Sequence, residues 1–183
     1  GIGHVGGYLA DKLHKAGAKL VMTDVNTALL EEVAARNNAE IVAPDAIYDV
    51  KADIYAPCAL GATLNPETLD RLSARAIVGA ANNQLATPEI GRILFERGVL
   101  YAPDYVVNGG GIINVASEMA ARNSGGAYDP AWVEGKLARL METLEEVLER
   151  SNSENRPTHE VADAIAEARI QAAADEKARA RAA

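Results

Sequence analysis

The sequence predicts an α/β fold in which a doubly wound parallel sheet is followed by a helical tail. Three observations predict it. Short apolar runs alternate with amphipathic helical segments over residues 1–107, which is typical of a parallel sheet covered on both faces. Glycines stand at positions 1, 3 and 6, a spacing typical of the tight turn between a strand and a helix. After residue 107 every predicted element is helical.

Composition narrows the class of protein. The 183 residues allow one domain with an appendage, and 49% hydrophobic with 24% charged residues is an ordinary globular balance. A net charge of −8 disfavours nucleic acid as a partner. The single cysteine, Cys58, rules out an intrachain disulfide, and we expect a reducing compartment. No run is long and apolar enough to predict a membrane span, and no signal peptide is visible.

The first elements follow from apolar spacing and cap residues. Val5, Leu9 and Leu13 are four residues apart and form one stripe of a helix. Asn26 or Thr27 is the candidate N-cap for the next helix. In chain order we expect a helix over 4–16, a strand over 19–25, a helix over 26–38, and strands over 40–44 and 53–60.

Cap-then-proline pairs predict the starts of the next two helices. Asn65 precedes Pro66, and Thr87 precedes Pro88, which is the usual order of N-cap and first helical residue. We expect a helix over 65–74, a strand over 76–82, a helix over 87–98 and a last strand over 99–107.

The tail is predicted to be three helices, over 109–123, 129–152 and 156–183. Beyond Ile170 no large apolar residue occurs, so that end is predicted to be a solvated helix or to fray. The turn at 123–130 is the predicted boundary, which divides an α/β body at 1–125 from C-terminal helices at 126–183.

The glycine turn is predicted to bind a dinucleotide. Gly1 allows the tight turn, Gly3 lets a pyrophosphate approach the backbone, and Gly6 lets the helix pack close to the sheet. Asp24 ends the strand that follows, where a carboxylate accepts hydrogen bonds from ribose hydroxyls. It would repel a 2′-phosphate, so the sequence favours NAD over NADP as cofactor. The alternative is a glycine-rich turn with an ordinary capping aspartate.

The strand expected before Gly1 is absent from the sequence. In a doubly wound sheet that strand is central, and we expect its place beside the strands that follow the first and second helices. The sequence therefore predicts a Rossmann-type sheet lacking its first strand, in a chain that is part of a longer protein.

Four further stretches carry a family resemblance. They read APDAIYDVKADIYAPCALGATLN, AIVGAANNQLATPEIGRIL, LYAPDYVVNGGGIINVASE and PTHEVADAIAEARI. Together with GIGHVG and LVMTDVN, they resemble the nucleotide-binding half of the glutamate/leucine/phenylalanine/valine dehydrogenase family over residues 1–172. Within this family the chain most resembles the leucine, or branched-chain, members.

The resemblance implies an enzyme that reversibly deaminates an L-amino acid with NAD, giving a 2-oxo acid and ammonium. It implies that two lysines and an aspartate of a separate N-terminal catalytic domain, absent here, handle the substrate carboxylate and the proton transfers. We therefore expect no catalytic residue in this chain, and cofactor binding without turnover. The resemblance also implies a cytoplasmic homo-oligomer.

Site residues carry over from the family by position. The cofactor-binding residues implied are Gly1, Gly3, His4, Val5, Gly6, Asp24, Val25, Asn26, Cys58, Ala59, Leu60, Ala81, Asn82, Asn83 and Asn108. The substrate-pocket residues implied are Asn83, which would help hold the substrate carboxylate, and the aliphatic Ile112 and Val115. Their size favours a branched aliphatic side chain over a charged one. Asn82 stands where the family commonly has aspartate, and an amide there keeps the size and loses the charge.

Two other functions stay open at this point. One is a phenylalanine dehydrogenase, and the other is a nucleotide-binding module without chemistry. No spacing of His or Cys predicts a metal site. Cys58 is predicted to pack as a small apolar residue, and His4 to lie near the phosphates as a polar side chain.

Overall fold

A computed structural model describes the backbone of residues 1–182 and the side chains of residues 1–181. The chain forms two compact units, Gly1–Asn108 and a second that begins at Gly109. The elements of the first unit are α1 (His4–Lys15), β1 (Val21–Met22), α2 (Thr27–Asn37), β2 (Glu40–Ile41), a 3₁₀ helix (Ala46–Asp49), β3 (Ile54–Tyr55), α3 (Pro66–Leu69), β4 (Ala76–Ile77), α4 (Pro88–Glu96), β5 (Leu100–Tyr101) and α5 (Asp104–Val107).

All strand pairs are parallel. β1 pairs with β2, and β3, β4 and β5 form a second sheet in that order. Helices connect successive strands, except between β2 and β3, where the connection holds the 3₁₀ helix. The α/β class and the Rossmann-type parallel sheet predicted from the sequence are therefore confirmed. The strands are shorter than predicted, and each has two residues in regular pairing.

The placement predicted for a central strand is wrong. That prediction put a strand between β1 and β2, yet these two pair directly, Val21 opposite Glu40 and Met22 opposite Ile41. The sheet instead divides between β1 and β3. The backbone N–H of Ile2 donates to Asp24 after β1 at 2.7 Å, and Gly1 lies against Ala59 after β3. The start of the chain thus lies between the carboxyl ends of these two strands.

The last predicted strand, 99–107, is also wrong in its second half. β5 ends at Tyr101, and residues 104–107 form the short helix α5. Pro103 explains the change, since proline has no N–H to donate to a strand ladder and is suited to a helix start. Its carbonyl accepts instead from the N–H groups of Val106 and Val107 at 2.9 and 3.2 Å. The 3₁₀ helix over 46–49 was not predicted.

Two apolar clusters hold the first unit together. One joins Ile2, α1, β1 and α2 around Val33, which is fully buried. The other joins α3, α4, β4 and β5 around Leu64 and Ile77. Each cluster lies on one of the two sheets.

The second unit is helical, as predicted. It contains α6 (Gly110–Ser124), α7 (Pro130–Glu154) and α8 (Thr158–Ala182). The Asp129 side chain caps α7 by accepting from the Trp132 N–H at 3.0 Å. Val161 and Ile165 of α8 are buried, whereas Ile170 is 71% exposed and the residues after it are exposed through 181. The end of α8 is therefore a solvated helix, one of the two outcomes that the sequence allowed.

The two compact units divide between Asn108 and Gly109. Within the second unit, α6 packs against α7. The hydroxyl of Ser117 is 3.4 Å from both the carbonyl oxygen and the backbone nitrogen of Asp129. Gly109 and Gly110 lie against Leu140 and Leu137. The division at 125 stays a prediction about domains.

Candidate functional site

The glycine turn begins α1 at the carboxyl edge of the sheets. Gly3 is the N-cap of α1 and has no side chain with which to cap the first turn. The early N–H groups of a helix have no partner within the helix, so they are available to a phosphate. A Cβ built on Gly3 would meet nothing within 4 Å, whereas one built on Gly6 would overlap the carbonyl oxygen of Gly1. Gly6 therefore serves internal packing, and the space at Gly3 is open to a ligand.

Asp24 lies two residues after β1 and contacts this turn directly. Its Oδ2 accepts from the Ile2 N–H at 2.7 Å, and its Oδ1 accepts from the Asn26 N–H at 2.9 Å. Partial burial pushes the pKa of Asp24 up, but the backbone N–H donors of Asn26 and Ile2 outweigh it and the pKa is lowered. The carboxylate is thus ionised at neutral pH and retains lone pairs for a ligand. The sequence did not reveal its contact with Ile2.

The residues that follow Asp24 and those that begin α1 are exposed. Val25 is 88% exposed, and the Asn26 side chain caps α2 by accepting from the Leu29 N–H at 3.2 Å. His4 is exposed, and its ring packs edge-on to Tyr8 with centroids 5.1 Å apart. Val5 is 59% exposed.

The loop after β3 lies beside the glycine turn. A Cβ built on Gly1 would be 2.5 Å from the Ala59 Cβ, and one on Gly6 would be 3.3 Å from the Cys58 Cβ. Cys58 is half-buried and Leu60 is 76% exposed. The structure therefore places two predicted cofactor residues of this loop, Cys58 and Ala59, against the glycine turn.

A backbone ladder joins the loop after β3 to the loop after β4. The Ala62 N–H donates to the Asn83 carbonyl at 2.7 Å. The Leu64 N–H donates to the Gln84 carbonyl at 3.0 Å, and the Leu64 carbonyl accepts from the Ala86 N–H at 2.9 Å. Ala62 and Asn83 both have left-handed backbones, with φ of 56° and 54°. The two loops form one platform beyond the strand ends.

The predicted asparagines meet on this platform. The Asn108 Nδ2 donates to the Asn82 Oδ1 at 2.6 Å, and the N–H of Asn83 donates to the Asp104 Oδ2 at 2.8 Å. Gln84 is fully buried and closes the β4 loop, because its Nε2 donates to the carbonyls of Gly79 and Ala81 at 2.8 and 3.0 Å. Ala81 is buried.

Sequence reasoning missed Asp104, Tyr101 and Gln84. The Tyr101 hydroxyl donates to the Asp104 Oδ1 at 2.7 Å. Burial, followed by the hydrogen bond and charge of Asp104, raises the pKa of Tyr101 well above its usual range, so the phenol stays protonated. An acidic residue next to a proline at a strand end was the available signal, and the wrong strand prediction through residue 107 concealed it.

The two aliphatic pocket residues belong to the second unit. Ile112 and Val115 lie on α6 and are 75% and 49% exposed. Their assignment to the substrate pocket stays a prediction.

Other site types have little support in the part of the chain that the structure describes. Within residues 1–182 no three His, Cys, Asp or Glu side chains cluster as a metal site would require. None of the helices described is long and apolar enough to cross a membrane. An open depression lies where β3 and β4 begin, lined in part by Lys51 and Ser73. Its Arg75 and Asp53 already pair at 2.8 Å, and ligands of open α/β sheets bind at the opposite, carboxyl edge.

Comparisons with known proteins show which sequences this chain is similar to. A sequence model of the glutamate/leucine/phenylalanine/valine dehydrogenase family matches residues 22–178. The chain is 44% identical over 171 residues to the leucine dehydrogenase of Thermoactinomyces intermedius, covering 93% of this chain and 45% of that protein. It is 38% identical over 177 residues to the phenylalanine dehydrogenase of Bacillus thermotolerans, covering 94% of this chain and 45% of that protein.

A solved structure is similar over the same extent. The crystal structure of L-tryptophan dehydrogenase from Nostoc punctiforme matches with a TM-score of 0.86 at 38% identity, covering 93% of this chain and 50% of that chain. The chain thus spans about half the length of the curated relatives it matches.

Proposed function

Because the chain belongs to the glutamate/leucine/phenylalanine/valine dehydrogenase family, we propose that residues 1–108 bind NAD for the oxidative deamination of an L-amino acid. One observation carries the cofactor proposal. The ionised carboxylate of Asp24 lies against the glycine turn, where the N-terminus of α1 begins beside open space at Gly3. Phosphate-binding donors and a ribose acceptor are therefore adjacent.

These residues fit a dinucleotide in its NAD form. The N–H groups of α1 would hold the pyrophosphate, and the Asp24 oxygens would accept from the ribose hydroxyls. A 2′-phosphate would place two negative groups together, because Asp24 is ionised. The bound nicotinamide supplies the hydride acceptor. In this proposal Ala81, Asn82 and Asn83 of the platform, together with Asn108, line the nicotinamide end of the dinucleotide.

Asp24→Asn tests the cofactor proposal. The substitution removes the charge and keeps one oxygen for a backbone N–H, so we expect NADH binding to weaken about tenfold, the equivalent of about 1.4 kcal/mol. The preference for NADH over NADPH should fall as well. Fluorescence titration of the protein that the complete gene encodes measures both dissociation constants.

The matched control is Asp53→Asn, which removes a carboxylate at the amino end of β3, where it pairs with Arg75. This control should leave both dissociation constants unchanged. If Asp24→Asn keeps the wild-type preference between NADH and NADPH, the ribose role of Asp24 is wrong.

For the substrate we propose L-leucine or another branched-chain amino acid, interconverted with its 2-oxo acid and ammonium. Ile112 and Val115 support this, since aliphatic side chains complement a branched aliphatic one and offer no cation to a glutamate side chain. Phenylalanine is the second candidate, favoured by the similarity to a phenylalanine dehydrogenase. Initial rates of NADH formation with leucine, valine, phenylalanine and glutamate decide between them. A protein that binds NADH but oxidises none would be a binding module.

Assembly and location complete the proposal. We propose a cytoplasmic homo-oligomer, and its support is the family resemblance together with the single cysteine. Light scattering of the purified protein tests the oligomer, and fractionation of cells tests the location.

A further inference from the structure

A buried carboxylate lies directly behind the platform of asparagines. Asp104 is 7% exposed and begins α5. Its two oxygens have different partners, since Oδ2 accepts from the Asn83 N–H at 2.8 Å and Oδ1 from the Tyr101 hydroxyl at 2.7 Å. We propose that Asp104, oriented by Tyr101, is a positioning residue that holds Asn83 in place for cofactor and substrate. This rests on the proposed function of the platform.

The backbone of Asn83 explains why it needs to be held. Its φ of 54° is left-handed, a conformation that asparagine tolerates better than most residues but does not prefer. Both of its backbone polar groups are engaged, the N–H by Asp104 and the carbonyl by the Ala62 N–H at 2.7 Å. The side chain itself is exposed. The backbone is therefore fixed from two sides, while the carboxamide is accessible to a ligand.

The chemistry of the pair favours a carboxylate over a neutral acceptor. Hydrogen bonds to a charged acceptor are about twice as strong as neutral ones. The buried Tyr101 donates its hydroxyl proton to Oδ1, and Oδ2 accepts from the Asn83 N–H. The aspartate thus links the end of β5 to the loop after β4. Among the hydrogen bonds described for residues 1–182, none joins Asp104 to the glycine turn or to Asp24.

Asp104→Ala removes the acceptor from both partners. We expect kcat/KM for the amino acid to fall about ten- to a hundredfold, the range that follows from a displacement of about 1 Å in a positioned group. The dissociation constant of NADH, set mainly at the glycine turn, should change less than about threefold. Hydrogen exchange of the Asn83 amide should accelerate at least about tenfold, because its acceptor is gone.

Two further variants separate positioning from folding. Asp104→Asn can accept the Asn83 N–H with its oxygen and donate its amide to the Tyr101 oxygen, but it lacks the charge, so it should recover part of kcat/KM. Asn37→Ala is the matched control. Asn37 is also buried, donates to Asp11 and the Val33 carbonyl at 2.8 and 2.9 Å, and lies on α2 away from the platform. It should lower the Tm and leave kcat/KM and the Asn83 exchange rate unchanged.

The experiment uses the protein that the complete gene encodes, with rates normalised to the folded fraction. The positioning role is supported if kcat/KM falls in Asp104→Ala, recovers in part in Asp104→Asn and is unchanged in Asn37→Ala. If Asp104→Ala does not fold, the same reading is taken from Tyr101→Phe, which leaves Oδ1 without its donor and should lower kcat/KM severalfold.

The outcomes also distinguish the two proposals. A wild-type protein that turns over while its Asp104 variants keep wild-type kcat/KM and Asn83 exchange overturns the positioning role alone. A wild-type protein that neither binds NADH nor oxidises amino acids overturns both.

Discussion

Replacing the glycines of the opening turn by alanine, one at a time, is expected to affect different properties of the protein. A Cβ on Gly3 would meet nothing within 4 Å, whereas a Cβ on Gly6 would overlap the Gly1 carbonyl oxygen and lie 3.0 Å from its carbon. The motif assigns Gly3 to the ligand and Gly6 to helix packing. We therefore predict that Gly3→Ala impairs binding with little loss of stability, and that Gly6→Ala impairs stability first.

The magnitudes follow from these contacts. Gly3 has a φ of −56°, which alanine also adopts, and it caps α1 without a side-chain hydrogen bond. Replacing a glycine N-cap by alanine costs up to about 1 kcal/mol. At Gly6 the obstacle is backbone, with the Cys58 Cβ 3.3 Å away on another side, so neither neighbour can rotate aside. Overpacking of this kind costs about 1–3 kcal/mol or more.

Urea unfolding followed by circular dichroism, with NADH titration of each variant, measures both effects. Gly3→Ala should unfold close to the wild-type midpoint and bind NADH at least about tenfold more weakly. Gly6→Ala should unfold at clearly lower urea. Wild-type NADH affinity in Gly3→Ala would refute the ligand role of the open space, and a wild-type midpoint in Gly6→Ala would refute the packing argument.

Two further predictions concern stability. Leu64 is fully buried and Leu60 is 76% exposed, so Leu64→Ala should cost about 2–5 kcal/mol and Leu60→Ala within about 0.5 kcal/mol in urea unfolding; equal costs would contradict the burial argument. Arg71 pairs with Asp45 and Asp49 at 2.8 Å each, and these contacts lower the pKa of both carboxyls. Because the folded pKa values lie below the unfolded ones, the stabilisation is present at pH 7 and disappears as the pH falls below about 4. Arg71→Gln should therefore lower the urea midpoint more at pH 7 than in acid, where Arg71 keeps its contacts with the Asp45 backbone carbonyl and the Tyr48 ring; a difference independent of pH would contradict it.

Local signals predicted most of the first unit. The cap at Asn26 and the start of α3 at Asn65 follow from side-chain chemistry within three residues, and both occur, with Asn65 and Thr68 forming a reciprocal capping box. The position of Asp24 beside the glycine turn follows from the topology of parallel strands, whose carboxyl ends meet at one edge.

The missed features depend on contacts between segments distant in sequence. The pairing of β1 with β2 required a choice of neighbours that periodicity does not encode. Asp104 accepts from the Asn83 N–H across 21 residues of sequence, so this contact is invisible without the fold. In the second unit, α6 carries no local mark of its packing with α7.

The ladder between the loops after β3 and β4 constrains how this protein can change in length. Three backbone hydrogen bonds, donated by Ala62, Leu64 and Ala86, join the two loops. Two of the paired residues, Ala62 and Asn83, have left-handed backbones. Inserting one residue into either loop would shift every later pair out of register and move the left-handed position onto a different side chain. Homologues should therefore keep both loops at constant length, whereas the exposed turn around Gly125 and Gly126 can accept insertions.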